Sequence, residues 1–469
     1  MASNRNDETS SSEIVYGLDD RPPLREAIPM GTQHVMFMIV INLSLAIVIA
    51  GGVGLTAGAG QAYVIQMALL VAGIGTLVQC YPFGEKLGFP VGAKLPIVMG
   101  TSASFITPLI LIADSFGLAA MFTAIIFAAP VEIVVGYHFD KFRKVFPPLL
   151  GGIVVTLIGL SLAPVAIDYF AGAAGGPGSA GYGSLTNLGL GTLVLVVAVF
   201  FNQFFDGAMR AASILIGLAV GYVAAIPLGL VEFAPVYEAG WVALPSIMPY
   251  GFDVNPTAIL TLVFIYIIVA VETIGDVNGI TQAADRNPTD QEVKGGLIAD
   301  GVLSALAGLV GMFPNTSFSG NVGMVSYTGV LSRFVVGIGG VILVVMGLSP
   351  KVGAVFSITP TPVLGGATIV LFGMILALGI RIIVENVELD LRNMIVVGTS
   401  LLVGLGVEIR PEVIGQLPGD VQVIFGSALA AGTATALVLN IALPEEPPFS
   451  LGEMFSDAEP TAETAEADD

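Results

Sequence analysis

The stretch Phe313–Arg333, FPNTSFSGNVGMVSYTGVLSR, is rich in Gly, Ser, Thr and Asn and lies between long apolar segments. Backbone groups that leave a helix inside hydrocarbon have no water to bond, so such sequence survives at membrane depth only where protein encloses it or where it lines a cavity. The apolar sequence upstream contains Glu272, Asp276 and Asp300. Acidic residues in membrane segments usually mark a solute or proton pathway. The stretch therefore predicts a solute site inside a membrane protein.

The composition of the whole chain also indicates a membrane protein. Of its 469 residues, 55% are hydrophobic and 11% are charged, and the mean hydropathy is +0.90. Soluble domains have about 45–50% apolar and about 25% charged residues. Apolar runs of about 20 residues, enough for the roughly 30 Å hydrocarbon core, recur from residue 33 to residue 442, and we count about fourteen of them. The predicted fold is an all-α polytopic membrane protein.

Both ends of the chain are predicted to lie outside the bilayer. Much of the net charge of −20 falls in residues 444–469, which contain many acids and no Lys or Arg. Such a segment cannot bury enough apolar surface to fold, so we expect an acidic, disordered tail. Residues 1–30 are polar, without the apolar core of a cleavable signal, and we expect a cytoplasmic segment. The single cysteine, Cys80, excludes an intramolecular disulfide.

Basic residues set the predicted orientation. If the amino terminus is cytoplasmic and the spans alternate, every Lys and Arg except Lys351 and Arg410 falls on the cytoplasmic side. Lys and Arg in short cytoplasmic loops orient membrane proteins. His138 then belongs to a basic cytoplasmic loop, and we interpret Glu132 and Asp206 as interfacial acids near cytoplasmic span ends. We expect a cell-membrane protein with both termini in the cytoplasm.

Two segments about half the membrane portion apart resemble each other. PLLGGIVVTLIG at Pro148–Gly159 and PVLGGATIVLFG at Pro362–Gly373 share Pro, Leu, Gly-Gly, Leu and Gly at the same spacing. An odd number of spans between them would invert the second half, as in secondary transporters whose sites form at the midplane from broken helices. Chance recurrence is the simpler alternative. The repeat pairs Phe313–Arg333 with Gly100–Pro108, GTSASFITP, and each is expected to be an extended piece followed by a half-helix.

Several motifs in sequence order resemble the nucleobase–ascorbate transporter family, also called nucleobase:cation symporter-2, which includes uracil and xanthine permeases. The family signature in the tenth span is Gln, Glu or Pro, then Asn-x-Gly, four variable residues, Thr, and Arg, Lys or Gly. Here it reads Gly320-Asn321-Val322-Gly323 and, four residues later, Thr328-Gly329. The other matching motifs are Arg21-Pro22-Pro23, Gln33-His34, Glu272-Thr273-Ile274-Gly275-Asp276, Ala299-Asp300-Gly301 and Phe313-Pro314-Asn315-Thr316.

The resemblance implies a domain organisation. It implies about fourteen spans as a 7+7 inverted repeat, with short extended segments in spans 3 and 10. A core domain would comprise residues 31–137 (spans 1–4) and 233–349 (spans 8–11). A gate domain would comprise residues 138–232 (spans 5–7) and 350–443 (spans 12–14). The resemblance also implies a homodimer with an elevator-like movement of the core, no cofactor and no nucleic-acid partner.

The acidic residues supply the predicted chemistry. Glu272 and Asp276 are four residues apart, so on a helix they share a face. We interpret Glu272 as the acceptor for ring N–H groups of a purine or pyrimidine base. Asp276 or Asp300, with His34, would bind or pass on a co-transported proton or sodium ion. The alternative for the two aspartates is that they lie near helix ends and bind no ion. The alternative for His34 is a purely structural hydrogen bond.

Gly320 departs from the family pattern, in which nucleobase carriers usually have Gln or Glu at this position. Backbone N–H groups or a water would then meet the base, or the substrate differs from xanthine, uric acid and uracil. Asn321 is expected to tether the half-helix, and Phe105 either stacks on the base or packs in the core. The substrate positions that the resemblance implies are Glu272, Ser319, Gly320, Asn321, Ala103, Phe105 and Ile41. The residues expected to support the site are Gln33, Asn315, Gly323 and Thr328.

The predicted function is secondary active uptake of a nucleobase, with xanthine or uric acid favoured over uracil. A carrier of another small solute with the same fold, such as an anion or an ascorbate-like molecule, is the alternative, and Glu272 and Asp276 disfavour an anion because they would repel it. A membrane receptor that recruits a partner through its acidic tail would leave the buried acids without a purpose. An enzyme is not expected, because metal-ligand spacing, a phosphate loop and a nucleophile arrangement are missing from the sequence.

Overall fold

A computed structural model describes residues 14–55, 59–138, 148–172, 177–179, 181–205, 209–210 and 212–443. The predicted acidic tail, Asp206, residues 1–13 and the basic loop at 139–147 lie outside these ranges.

Helices dominate the described residues because apolar sequence in a membrane must satisfy its own backbone hydrogen bonds. In that part of the chain, 8 helices are long and apolar enough to cross a bilayer, or up to 10 if each of two bent helix pairs is one span. The helices of the first half are α1 (Leu24–Gly52), α2 (Ala59–Cys80), α3 (Ile106–Ala128), α4 (Pro130–Tyr137), α5 (Pro148–Ser161), α6 (Ala163–Phe170), α7 (Leu185–Phe204) and α8 (Ser213–Ala225).

The second half of the chain begins with a short helix and continues through two long ones. The helices of the second half are α9 (Ala234–Glu238), α10 (Pro256–Ala283), α11 (Asp290–Leu309), α12 (Ser319–Thr328), α13 (Arg333–Gly347), α14 (Pro350–Ser357), α15 (Thr361–Asn386), α16 (Leu391–Ile409), α17 (Gly419–Phe425) and α18 (Ala428–Ala442). The architecture confirms the prediction of an all-helical, multi-pass membrane protein.

Several helices are interrupted. α3 contains Gly117 at φ 84° and ψ 171°, a backbone conformation that glycine adopts without steric cost. α13 and α14 meet at 83°, and α17 and α18 meet at 84°. Both polar stretches contribute a strand, β1 (Met99–Thr101) and β2 (Asn315–Ser317), and a 3₁₀ turn at Ala103–Phe105 joins β1 to α3.

The two repeated segments lie in α5 and α15, and these helices pack against each other at glycines. A β-carbon added to Gly159 would lie 2.6 Å from the Leu376 Cα, and one added to Gly379 would lie 2.4 Å from the Thr156 backbone nitrogen. Small residues let helix backbones approach closely inside membranes. The helices are therefore in backbone contact at these glycines. Gly373, the repeat counterpart of Gly159, faces open space within 4 Å.

This asymmetry predicts opposite outcomes for the same substitution in the two copies. Gly159→Ala would overpack the crossing and should destabilise the protein by about 1–3 kcal/mol. Gly373→Ala should be neutral or stabilising, because alanine is about 1 kcal/mol more favourable than glycine within a helix. Thermal unfolding of both variants in detergent tests the difference. Equal melting temperatures would contradict the close packing at Gly159.

The segment from Val15 to Asp20, which we call the amino-terminal strap, lies against the connection between α12 and α13. The Leu331 backbone N–H donates to the Tyr16 carbonyl at 2.8 Å, and the Ser332 hydroxyl donates to the Asp20 carbonyl at 2.6 Å. The strap thereby connects the start of the described chain to the end of α12.

Candidate functional site

The site is built around the two short strands. β1 and β2 pair antiparallel, with Met99 opposite Ser317 and Thr101 opposite Asn315, and all residues of both strands are buried. One strand comes from each half of the chain. The pair therefore joins the two polar stretches that the sequence singled out, and it satisfies backbone groups that hydrocarbon could not.

Two side chains on the first two helices hold β1 in place. Asn42 on α1 accepts from the Thr101 backbone N–H at 2.7 Å and donates to the Ala68 carbonyl at 3.2 Å. The Thr76 hydroxyl on α2 accepts from the Met99 backbone N–H at 3.0 Å. Neither residue was predicted from the sequence. A lone Asn within an apolar helix was the available signal, because a buried polar side chain needs a partner.

Asp300 is fully buried at the centre of a hydrogen-bond network. Its Oδ2 accepts from the Thr273 hydroxyl at 2.5 Å, from the Thr316 hydroxyl at 2.9 Å and from the Ser317 backbone N–H at 3.3 Å. Its Oδ1 accepts from the Gln79 amide at 3.0 Å. Since donors from α2, α10 and β2 surround this carboxylate on α11, Asp300 binds these elements together.

Asp276 and Glu272 lie one turn apart on α10 and differ in their bonding. Asp276 is 5% exposed and accepts from the Ser317 hydroxyl at 2.6 Å. Glu272 is partly buried and has two long contacts, from the Ser104 hydroxyl at 3.4 Å and from the Ser319 hydroxyl at 3.5 Å. Typical O–H···O bonds are about 2.7–2.8 Å. Glu272 therefore keeps the capacity to accept stronger hydrogen bonds.

The two hydroxyls that reach Glu272 come from the starts of two helical segments. Ser104 lies in the turn that leads into α3, and Ser319 is the first residue of α12. The residues that precede these helices, Phe105 and Phe318, provide no side-chain cap. Uncapped first-turn N–H groups carry partial positive charge. The Glu272 carboxylate and two helix starts therefore offer both an acceptor and donors to a polar solute.

Asn321 and His34 join α12 to α1. The Asn321 amide donates to the Pro96 carbonyl at 2.7 Å, and its Oδ1 lies 3.2 Å from His34 Nδ1. With the amide assigned by this network, His34 Nδ1 is the donor. Gln33 precedes His34 and is partly buried. Asn321 thus tethers the half-helix, and His34 supports it.

The remaining predicted residues occupy different positions around this centre. Phe105 is fully buried, with its ring 4.6 Å from that of Tyr266, so it packs on α10 in this conformation. The Ser304 hydroxyl on α11 donates to the Asn315 carbonyl at 2.9 Å and accepts from its N–H at 3.1 Å. Gly320 and Ala103 are partly buried, Ile41 is buried, Gly323 is exposed, and the Thr328 hydroxyl donates to the Met324 carbonyl at 2.8 Å.

Glu132, interpreted from the sequence as an interfacial acid, is covered by a neighbouring helix. Glu132 is 1% exposed and lies in the first turn of α4, against α11. Its distance from the span end is the only local signal in the sequence, and α11, which covers this position, comes much later in the chain. His138 is exposed at the end of α4, where a loop was predicted. Within the described residues, no group of three or more His, Cys, Asp or Glu could hold a metal ion.

A helical membrane protein with broken segments and carboxylates around a buried polar centre belongs to the class of membrane transporters. Comparison with known sequences identifies the family. A family model for xanthine/uracil permeases, described as a permease family, matches residues 25–413. The chain belongs to the nucleobase–ascorbate transporter family, as its motifs predicted, and it is a transporter and not an enzyme.

Curated relatives match almost the whole chain. A protein named as a purine permease in Clostridium perfringens is 39% identical over 434 residues, which are 92% of this chain and 94% of the relative. The xanthine permease XanQ of Escherichia coli K12 is 35% identical and covers 93% of this chain and 95% of its own. The uric acid permease PucK of Bacillus subtilis is 35% identical, over 90% of this chain and 96% of its own.

Solved structures share the fold at low sequence identity. The transmembrane domain of the cyanobacterial bicarbonate transporter BicA has a TM-score of 0.53 and 14% identity, over 90% of this chain and 99% of that chain. The murine anion transporter Slc26a9, in its inward-facing state, has a TM-score of 0.61 and 13% identity, over 90% of this chain and 69% of that chain. These similarities define the fold, and the identity of the solute must be inferred from the residues of the site.

Proposed function

We propose that this protein is a secondary active transporter that takes up a nucleobase by cation symport, with xanthine or uric acid as the favoured substrate and uracil as the next candidate. The relatives named as purine, xanthine and uric acid permeases support this substrate class. The observation that carries the proposal is the position of Glu272, which lies between the starts of two helical segments. Within the described part of the chain, its hydrogen-bond contacts are the long ones from Ser104 and Ser319. Purine and pyrimidine rings present N–H donors beside carbonyl acceptors, which complement this arrangement.

In the proposed site, Glu272 accepts from ring N–H groups. First-turn backbone N–H groups of α12, at Ser319 and Gly320, donate to ring oxygen or nitrogen atoms. Gly320 has no side chain, so the backbone or a water takes the place of the Gln or Glu that the family usually has. Asn321 holds the half-helix, and Ala103, Phe105 and Ile41 complete the apolar wall.

The proposed coupling ion is a proton, with sodium as the alternative. Asp276, Asp300 and His34 lie next to the substrate residues and are the sequence-based candidates for this role. The membrane potential contributes about 2.3 kcal/mol per charge per 100 mV, so symport of one cation can concentrate a neutral base. The saturated hydrogen bonding of Asp300 favours a structural role for this residue over ion binding.

The proposed architecture has fourteen spans in a 7+7 inverted repeat, with strands in spans 3 and 10. A core domain moves like an elevator against a gate domain, and the protein works as a homodimer in the cell membrane with cytoplasmic termini. The pairing of β1 with β2 supports this division, because it joins both halves of the proposed core.

An anion carrier is the second candidate, because the solved structures of similar fold include bicarbonate and anion transporters. Glu272 and Asp276 disfavour it through charge repulsion. Competition for radiolabelled xanthine uptake in proteoliposomes, by uracil, uric acid, sulfate and ascorbate, separates these candidates. Imposed proton and sodium gradients, applied separately, identify the ion. Inhibition by sulfate and not by bases would overturn the proposal.

A further inference from the structure

Glu132 is a buried carboxyl group outside the network described above. It is 1% exposed, and neither of its carboxylate oxygens has a hydrogen-bond partner among the residues that the structure describes. Every other acid near the centre has hydroxyl or amide donors, as Asp300 and Asp276 illustrate. The difference indicates that Glu132 is not held as an ordinary buried carboxylate.

The contact between α4 and α11 brings Glu132 close to the centre. A β-carbon added to Gly301 would lie 3.3 Å from the Glu132 Cβ, so the side chain of Glu132 starts beside the residue that follows Asp300. The carboxylates that act electrostatically on Glu132 are Asp300 on α11 and Glu272 on α10. Both would repel a negative charge at Glu132.

The other titratable groups on the helices packed against α4 do not offset this repulsion. Tyr266 on α10 lies within electrostatic reach of Glu132, and its neutral hydroxyl supplies no positive charge. Lys294 on α11 lies over the ring of Tyr137, five residues beyond Glu132 along α4, with its Nζ 3.5 Å from the ring centroid. No basic group among the described residues forms an ion pair with Glu132.

The physical consequence concerns the charge state of Glu132. A buried ion without a partner costs several kcal/mol after relaxation, and groups in such places usually become neutral. A neutral carboxylic acid avoids this cost and the repulsion from Asp300 and Glu272. The same side chain would become a carboxylate when water reaches it.

We propose that Glu132 is protonated in this conformation and carries the coupling proton of the transport cycle, which rests on the proposed function of proton-coupled uptake. The Glu132 carboxylate takes one proton from the aqueous phase on the side of substrate entry and becomes a carboxylic acid buried against α11. It returns the proton to water on the other side when the movement of the core domain brings water to this side chain. Glu272 remains free to bind the base, and Asp300 remains the structural centre.

The first test compares driven accumulation with exchange. Wild type, Glu132→Gln and Glu408→Gln are reconstituted in proteoliposomes, and radiolabelled xanthine is the probe. Glu408 is the matched control, because it is a partly buried carboxylate on a membrane helix that has a partner, the Ala428 backbone N–H at 2.8 Å. With one proton per base, a gradient of one pH unit supports up to about tenfold accumulation.

Glu132→Gln is expected to equilibrate xanthine without accumulating it, while exchange of internal for external xanthine stays within about twofold of wild type and loses its pH dependence. Glu408→Gln is expected to accumulate xanthine like wild type. Accumulation by Glu132→Gln at the wild-type level would overturn the inference. The inference would also be overturned if Glu132→Gln lost both exchange and accumulation while still eluting as a folded species. Glu132 would then be needed for the substrate site and not for coupling.

A second measurement does not depend on the substrate. Infrared spectroscopy of the purified protein detects the C=O stretch of a protonated carboxyl group, which differs from that of a carboxylate. A band that shifts in heavy water is expected in wild type and in Glu408→Gln, and in Glu132→Gln it should lose the contribution of one carboxyl group. An identical band in all three proteins would overturn the protonation of Glu132. A wild type that transports no base but shows the band would overturn the proposed function and the coupling role, and would leave the protonation established.

Discussion

Glu272→Gln is expected to reduce xanthine uptake by about 10- to 100-fold while the protein still folds. A hydrogen bond to a charged acceptor contributes about 1.5–3 kcal/mol, and every 1.4 kcal/mol is about tenfold in affinity. The amide of glutamine presents N–H donors where the ring N–H groups need an acceptor. Folding should be unaffected, because the contacts from Ser104 and Ser319 are 3.4 and 3.5 Å long. Initial uptake rates and xanthine binding to purified protein measure the effect.

Two variants serve as controls for this prediction. Glu272→Asp keeps the charge and should retain part of the affinity. Glu412→Gln changes an exposed glutamate in the turn before α17 and should behave like wild type. Full uptake by Glu272→Gln would remove this residue from the site. Loss of the folded species would show that its two long contacts matter for stability.

Asp300→Ala is expected to have the largest effect on stability. The substitution leaves the donors from Gln79, Thr273, Thr316 and Ser317 unpaired in a buried place. Each unsatisfied buried donor costs about 1–3 kcal/mol. The sum is a large fraction of the free energy of unfolding of a typical protein, which is roughly 5–15 kcal/mol. Most of the protein should therefore fail to appear as a monodisperse species after extraction in detergent.

Asp300→Asn should be intermediate, because its amide oxygen accepts hydrogen bonds and its NH₂ group cannot. Asp290→Ala is the matched control, since Asp290 is exposed in the first turn of the same helix. It should cost at most about 1 kcal/mol, the usual size of a charge effect at a helix start. Size-exclusion profiles and thermal unfolding measure all three. An Asp300→Ala protein with wild-type stability and lost coupling would assign the carboxylate to the cation instead.

Much of this architecture could be predicted from the residues because membranes impose strict rules on sequence. A polar, glycine-rich stretch between apolar segments had to be enclosed, and both stretches that met this description contain a strand. Glu272, Asp276 and Asp300 were recognisable for the same reason, since acids are expensive at membrane depth. The structure adds that these acids differ in their hydrogen bonding, which residue types alone do not reveal.

The residues that sequence analysis missed make contacts between distant parts of the chain. Gln79 and Asp300 are far apart in sequence, and so are Asn42 and Thr101, so each side chain looked like an isolated polar residue. The burial of Glu132 could not be foreseen from its local sequence, because its covering helix, α11, comes much later in the chain. A partner at long range has no local pattern, and only the packing of helices shows which polar side chains meet.

The amino-terminal strap has a practical consequence for the choice of expression vector. The strap backbone is hydrogen-bonded to the connection after α12. A displacement of the start of the chain is therefore expected to shift the half-helix that contains Gly320 and Asn321. A bulky fluorescent protein or affinity tag fused ahead of Val15 is therefore expected to disturb the site through these hydrogen bonds. Purification handles for this protein belong at the carboxyl end, where the described chain leaves α18 at a distance in sequence from both strands.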